Sequence, residues 1–280
     1  MAPPKSTLAK ILRLLIDPQA YLNLSQPKST RDLMVTAVNG WLLDYDNLSA
    51  IPDWLSDGLC RLVYGGGFAS RALFSNDERS VIYAQRPVIL NGIEEFVRRG
   101  DLIDRSVFLH LPSIAAARLR DEDEFWRSFQ ADYPRILGAV LDAVVGGLRE
   151  LPSVCLPELP RMADYAKWGE AVGRGLGWSP ETFLSTYSAN RQEATVPALE
   201  DSAVGTALLK LAGALDEWSG SPAGLYKKLT TYVDSREAEA VRFESAAVVR
   251  RVRAAAARWP KDVRQFSKEL RRVIPQLRMR

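Results

Sequence analysis

Asn39-Gly40-Trp41-Leu42-Leu43-Asp44-Tyr45-Asp46-Asn47-Leu48 sets the fold class expected of the chain. Trp41, Leu42 and Leu43 form an apolar run that ends in Asp44-Tyr45-Asp46-Asn47. Two readings are open. The run is either a buried parallel strand that delivers an acid to the carboxyl edge of an open α/β sheet, where nucleotide and metal chemistry is placed, or a buried strand closed by an Asp-Asn turn. The segments on either side favour the first.

Upstream, Leu8, Ile11, Leu12, Leu15 and Ile16 recur at helical spacing until Asp17-Pro18 stops the helix. Lys5-Ser6-Thr7 opens it, which is where the last residues of a Walker A loop, GxxxxGK[ST], stand; there Lys reaches the phosphates and Ser or Thr holds Mg²⁺. The glycines of that loop are absent. Pro3 and Pro4 take their place, and neither has an N–H to donate. An ordinary amphipathic N-terminal helix is the alternative.

Downstream, the pattern predicts a short helix over 31–38 ahead of the acid-bearing strand and a helix over 51–62 after it. Gly65-Gly66-Gly67 marks a break, and residues 67–83 read as a β-hairpin with a polar tip at Ser75-Asn76-Asp77-Glu78. Residues 86–91 make a second buried strand ending on Asn91. Asp101 to Arg105 then lead into a third, Ser106 to Leu111.

Strand-Asp, strand-Asn and Asp-Arg-strand, in that order, resemble Walker B, sensor 1 and the arginine-finger region of AAA+ or superfamily 3 helicase ATPases. Over residues 5–112, KSTLAKILRLLIDP, NGWLLDYDNLSAIPDWLSDGLCRL, GGGFASRALF, RPVILNGIEE and DLIDRSVFLHLP together resemble the ATPase modules of phage and mobile-element primase-helicase proteins. The resemblance implies ATP and Mg²⁺ as cofactors, with Lys5, Ser6 and Thr7 at the phosphates and Ser6 and Asp46 at the metal. It gives Asp46 the organisation of Mg²⁺ and water with Asn47 beside it. Asn91 would sense the γ-phosphate, and Arg105 would reach the nucleotide of a neighbouring subunit in a hexamer-type ring. The hairpin falls where such helicases place a DNA-contacting hairpin, and Arg71 would be its basic contact. The departure from the family pattern is the missing strand and glycine-rich loop ahead of Lys5.

Composition agrees with a globular protein: 280 residues, 47% apolar and 25% charged. Cys60, Cys155 and the single His110 are too few and too scattered for a disulfide framework or a zinc site. No run approaches the roughly 18 apolar residues of a membrane span, and Lys10 and Arg13 interrupt the N-terminal apolar stretch, so a cytoplasmic protein is expected. The net charge of +3 conceals an asymmetry. Residues 242–280 hold 12 Lys and Arg against three acids, a balance of +9, and the remainder is −6. A basic terminal block attracts polyanions, nucleic acid above all, although a solvated basic helix is the alternative. Val263, Phe266, Leu270, Val273 and Leu277 trace one face of its last helix, and Arg264, Lys268, Arg271 and Arg272 the other.

The expected architecture is α/β: a P-loop NTPase-like parallel sheet core with a β-hairpin insertion over 1–116, a helical lid over 117–196, and a basic winged-helix-like DNA-binding domain over 197–280. Within the lid, Pro134 is expected to open a helix, Met162 to Trp168 to begin another, and Ser179 to cap the one after that. The expected function is a helicase-like ATPase of phage or mobile-element DNA replication, impaired by its incomplete phosphate loop. The alternative is a non-enzymatic DNA-binding remnant or scaffold of such a protein.

Overall fold

The structure is a computed structural model that describes residues 4–71, 79–92, 96–97, 99–214 and 217–277, without the side chains of 68–71, 79–82, 195–198, 200–201, 240, 243, 246–248, 251, 254–255 and 275–276. It divides into two compact units, Met1–Ala189 and Asn190–Arg280. The first is mixed α/β and the described part of the second is helical.

In the first unit, helix α1 (Lys5–Ile16) and helix α2 (Thr30–Asn39) precede strand β1 (Leu43–Leu48). Ser29 caps α2 by accepting a bond from the Asp32 N–H. Helix α3 (Asp53–Tyr64) follows, ending on Gly65 in the left-handed region, and leads into strands β2 (Gly66–Arg71) and β3 (Arg79–Ala84), then strand β4 (Val88–Gly92). β1 and β4 pair in parallel, with Leu43 opposite Val88 and Tyr45 opposite Leu90. On its other edge β1 makes a single parallel bridge: the Leu24 N–H donates to the Asp44 carbonyl at 2.8 Å and the Asp46 N–H to the Leu24 carbonyl at 3.0 Å. β1 is thus enclosed on both edges, and its side chains divide with the period of two that a strand imposes. Leu43 and Tyr45 enter the core with Leu33, Met34, Leu55, Leu59 and Leu62 of α2 and α3. Asp44 and Asp46 face the other way.

Asp17, just past α1, fixes the entry to β1. Its Oδ2 accepts bonds from the N–H groups of Trp41 at 2.8 Å and Leu42 at 2.9 Å, and pairs with the Arg13 guanidinium at 3.2 Å. Arg13 is only 1% exposed. Burial pushes the Asp17 carboxyl upward, but the bonds from Leu42 and Trp41, with Gln19 and Arg13, outweigh it and hold the group below its ordinary value. Arg86 ties the other side: its Nε donates to the carbonyls of Ala37 and Gly40 at the end of α2.

Several expectations need correction. The third strand at 106–111 does not form; these residues have no regular structure, and Val107, Leu109 and His110 are exposed. The sheet built on β1 is therefore a two-stranded parallel pair with one bridge, and the hairpin β2–β3 is a separate sheet. The hairpin register runs from Gly66 opposite Ala84 to Arg71 opposite Arg79, and its tip lies outside the described residues. Asp101 to Arg105 fall on and just after a single-turn helix, α4 (Gly100–Ile103). Pro134 does not start a helix but lies inside α5 (Glu122–Glu150), whose N-terminus Asp121 caps instead. A proline within a helix removes one i→i−4 bond, a loss that 29 residues and the packing on α6 (Ala163–Gly175) absorb. Ser179 does not cap α7 (Thr182–Asp201) at once, because Glu181 takes a positive φ of 65° and donates its N–H to Glu170.

In the second unit, helices α8 (Ala203–Ala214), α9 (Pro222–Phe243), α10 (Ala246–Ala257) and α11 (Val263–Leu277) are the described elements. Val204 and Ala207 of α8, Leu225 and Leu229 of α9 and Phe266 of α11 make its core. Trp259 stacks on Tyr226 and donates to the Thr230 hydroxyl at 3.0 Å, and Tyr226 donates to the Pro260 carbonyl, which fixes the approach to α11. No strand occurs among the described residues of this unit, so the β-wing of the expected winged-helix form is not built by them.

The Asp17 arrangement yields a stability prediction. Asp17→Ala leaves the buried Arg13 without its carboxylate and frees two backbone donors, and is expected to cost roughly 3 to 5 kcal/mol in urea unfolding at pH 7. Because the folded-state pKa is depressed, this contribution is complete above the ordinary value of 3.8 and is lost as pH falls through the lower folded value. A loss below about 1 kcal/mol at pH 7, in the range of an exposed ion pair, would remove Asp17 from this role.

Candidate functional site

The expected site residues of the first turn and the two strand ends meet. Ser6 Oγ donates to Asp46 Oδ1 at 3.2 Å, and Asn91 Nδ2 donates to Ser6 Oγ at 3.2 Å. Lys5 Nζ donates to the carbonyl of Gly92, the last residue of β4. The Asn47 N–H donates to Asp46 Oδ1 at 2.9 Å. The positive φ of Asn47, 58°, turns the chain there and accompanies the shift in β1–β4 register between Tyr45 and Leu48. Lys5, Ser6, Asp46, Asn47 and Asn91 thus form one polar cluster where α1 begins and β1 and β4 end. Thr7 lies in the same first turn, half-buried.

Arg105 makes its contacts elsewhere. Its guanidinium donates to the Asp101 carbonyl and lies over the Tyr64 ring, 5.1 Å from the ring centre. Arg71 ends β2, and its side chain is outside the described residues.

Two members of this region are not among the site residues expected from the sequence. Asn23 donates from Nδ2 to Asp46 Oδ2 at 2.8 Å; it comes from the irregular segment between α1 and α2, and no pattern marks it. Asp44 does carry a signal, since two residues' separation from Asp46 puts both acids on one face of a strand. It is fully buried, and neither carboxyl oxygen has a hydrogen-bond partner. Burial, aided by the neighbouring charge of Asp46, pushes its carboxyl up to about 6 against the opposing pull of Arg13 and Lys10.

A hard divalent cation suits oxygen donors, and Mg²⁺ is commonly held by one or two protein oxygens together with substrate phosphates and water. Asp46 and Ser6 are the pair that fits. No group of three or more His, Cys, Asp or Glu that could hold a metal occurs among the described residues, so the cluster is no self-sufficient metal cage. The first turn of α1 adds the free N–H groups of Lys5, Ser6 and Thr7, while the Pro4 N-cap supplies no side-chain bond.

The second candidate surface is α11. At 100° per residue, Arg264, Lys268, Arg271 and Arg272 fall within an arc of about 100°, and Phe266, Leu270, Val273 and Leu277 centre about 180° away. Phe266 and Val273 are buried, and all four basic residues are exposed. Among the described residues, no helix is long and apolar enough to cross a membrane.

A family model described as actinomycete integrative conjugative element replication protein matches residues 2–190, and one described as the AICE RepA C-terminal domain matches residues 204–280. No curated protein and no solved structure matches the chain.

The buried Asp44 gives a prediction with a defined pH window. An acid whose pKa is raised on folding destabilises the native state as it ionises, here between about 3.8 and about 6, by on the order of 3 kcal/mol once fully charged. Asp44→Asn is expected to be more stable than the unaltered chain at pH 7.5, with the difference closing as pH falls to about 4, in urea titrations at a series of pH values. A difference independent of pH would contradict the assignment.

Proposed function

We propose that this chain, which belongs to the actinomycete integrative conjugative element replication protein family and is thus a replication protein of a mobile element, holds DNA through the basic face of α11. The observation that carries this reading is the opposition of four exposed cations to a buried apolar seam on one helix. Lys and Arg at this spacing neutralise successive phosphates and release counterions, which gives affinity and register without base selection. The matched C-terminal family domain covers the same residues.

A second reading belongs to the first unit. The chain from Asn91 through Ser6 to Asp46, with Lys5 at the end of β4, supports a site for a nucleotide phosphate with Mg²⁺. ATP is the proposed ligand, Lys5, Ser6 and Thr7 its phosphate contacts, Ser6 and Asp46 the Mg²⁺ ligands, and Asn91 the sensor of the terminal phosphate. A bound metal would screen phosphate charge, and this chain's own groups would orient it. Pro4 deprives the site of donors that a glycine-rich loop provides, each charge-assisted bond being worth roughly 1.5 to 3 kcal/mol. Binding is therefore weak and turnover slow. Arg105 would have to leave Tyr64 to serve a neighbouring subunit, so ring assembly is no part of the proposal.

Two measurements check these readings with the full chain. On duplex DNA, log affinity is expected to fall with log salt at a slope of roughly −3.6 if four side chains each neutralise one phosphate. Arg264→Ala with Lys268→Ala should reduce that slope by nearly two and weaken all sequences alike; no binding at about 50 mM salt, or an unaltered slope, would remove α11 from this role. In a phosphate-release assay the chain should be nearly silent with ATP and Mg²⁺. Robust turnover that Asp46→Ala abolishes would show that Pro4 does not impair the site.

A further inference from the structure

At the opposite end of β1 from Asp46 lies a groove of about 600 Å³ whose lining includes Trp41, Val63, Tyr83, Gln85, Arg86 and Pro87. Trp41 is 56% exposed and Tyr83 66% exposed. Large exposed rings are unfavourable in water, and two of them on one groove make a surface that gains by being covered.

Both rings are held in place. The backbone N–H of Trp41 is bonded to Asp17, which fixes the chain at that residue, and the Arg86 guanidinium lies 4.8 Å from the centre of the Trp41 ring. Arg86 is fixed in turn by the carbonyls of Ala37, Gly40 and Gln85. Its described partners are carbonyl oxygens, so its charge is not cancelled by a carboxylate in these bonds, and the groove lining contains no acid. Tyr83 is paired in the hairpin with Gly67, and its hydroxyl end rests against Gly65, where a Cβ would come within 2.2 Å of the Tyr83 oxygen. Gly65, at a φ of 76°, is therefore required both by the backbone and by the ring over it.

We infer that this groove takes an unpaired base of single-stranded DNA, stacked on Trp41 and Tyr83 with the adjoining phosphate drawn to Arg86. Exposed aromatic faces beside an uncompensated cation are the elements of sequence-tolerant single-strand binding, because every base has a π-face. A base within a duplex presents only its edges in the grooves, so the same rings offer duplex DNA little. Trp41 precedes β1 and Asp46 lies near its far end, which separates this slot from the polar cluster there. The inference goes beyond the phosphate contacts proposed for α11 and does not depend on them.

The test is fluorescence anisotropy of labelled (dT)20 and of a labelled DNA hairpin with the full chain and its Trp41→Ala, Trp41→Phe and Tyr83→Ala variants, across a salt series. Loss of one stacked base is expected to weaken (dT)20 binding by roughly 5- to 150-fold in each alanine variant. Trp41→Phe should keep most of the affinity, and the affinity for the DNA hairpin and the salt slope should not change. Wild-type affinity for (dT)20 in both alanine variants, parallel loss on (dT)20 and the hairpin, or no binding of (dT)20 by the unaltered chain would each overturn the inference; a protein segment as the groove's occupant predicts the first or last of these. Should circular dichroism show that Trp41→Ala is unfolded, photocrosslinking of a 5-iododeoxyuridine 20-mer to the unaltered chain decides. Crosslinks at Trp41 or Tyr83 support the slot, and crosslinks confined to α11 overturn it.

Discussion

The first unit depends on a strand that carries two acids on one of its faces. β1 is paired by β4 on one edge and bridged by Leu24 on the other, so Asp44 and Asp46 cannot turn to solvent without breaking the register of the sheet. α1 covers that face with matching chemistry. Ser6 donates to Asp46, Lys10 and Arg13 lower the cost of charge on Asp44, and Arg13 reaches on to Asp17, which holds Trp41 and Leu42 at the entry to the strand. The opposite face is settled by Leu43 and Tyr45 against α2 and α3. One apolar face and one acidic face on a single strand thus fix both layers around it.

The same strand places two different surfaces far apart. Where it ends, polar groups from α1, β1 and β4 converge on Asp46; before it begins, Trp41 stands beside Arg86 and the base of the hairpin. The cost of Asp44 is the clearest sign that this strand is not arranged for stability alone, since an apolar residue there would be cheaper to bury. The C-terminal unit obeys simpler rules. Phe266 and Val273 bind α11 to its neighbours, and the cations opposite remain in water.

Much of this could be read from the residues, and the exceptions have physical causes. α1 emerges from 3.6-residue apolar spacing closed by Asp17-Pro18, α3 from a proline near its start and a glycine break after it, and the hairpin from glycines and a polar tip. Asp46, Ser6 and Asn91 could be brought together because strand ends and helix starts are where side chains converge in α/β folds. Ser106 to Leu111 failed as a strand because β propensity reports fit to a half-buried surface, and here Val107 and Leu109 meet none. Pro134 lies inside α5 and not at its start because a long amphipathic helix packed along its length can bridge a single missing bond. Asn23 was invisible: a side chain from an irregular segment that reaches a strand end leaves no period in the sequence.

A double-mutant cycle on the contact between α1 and the acidic face of β1, using Ser6→Ala and Asp46→Asn with unfolding free energy as the readout, tests whether the helix and the strand share one polar cluster. The two substitutions are expected to be coupled, with the double variant departing from additivity by more than about 0.5 kcal/mol, as residues sharing one hydrogen-bond network do. Strict additivity would mean that Ser6 and Asp46 do not share a network, and would contradict the claim that α1 and β1 form a single polar cluster.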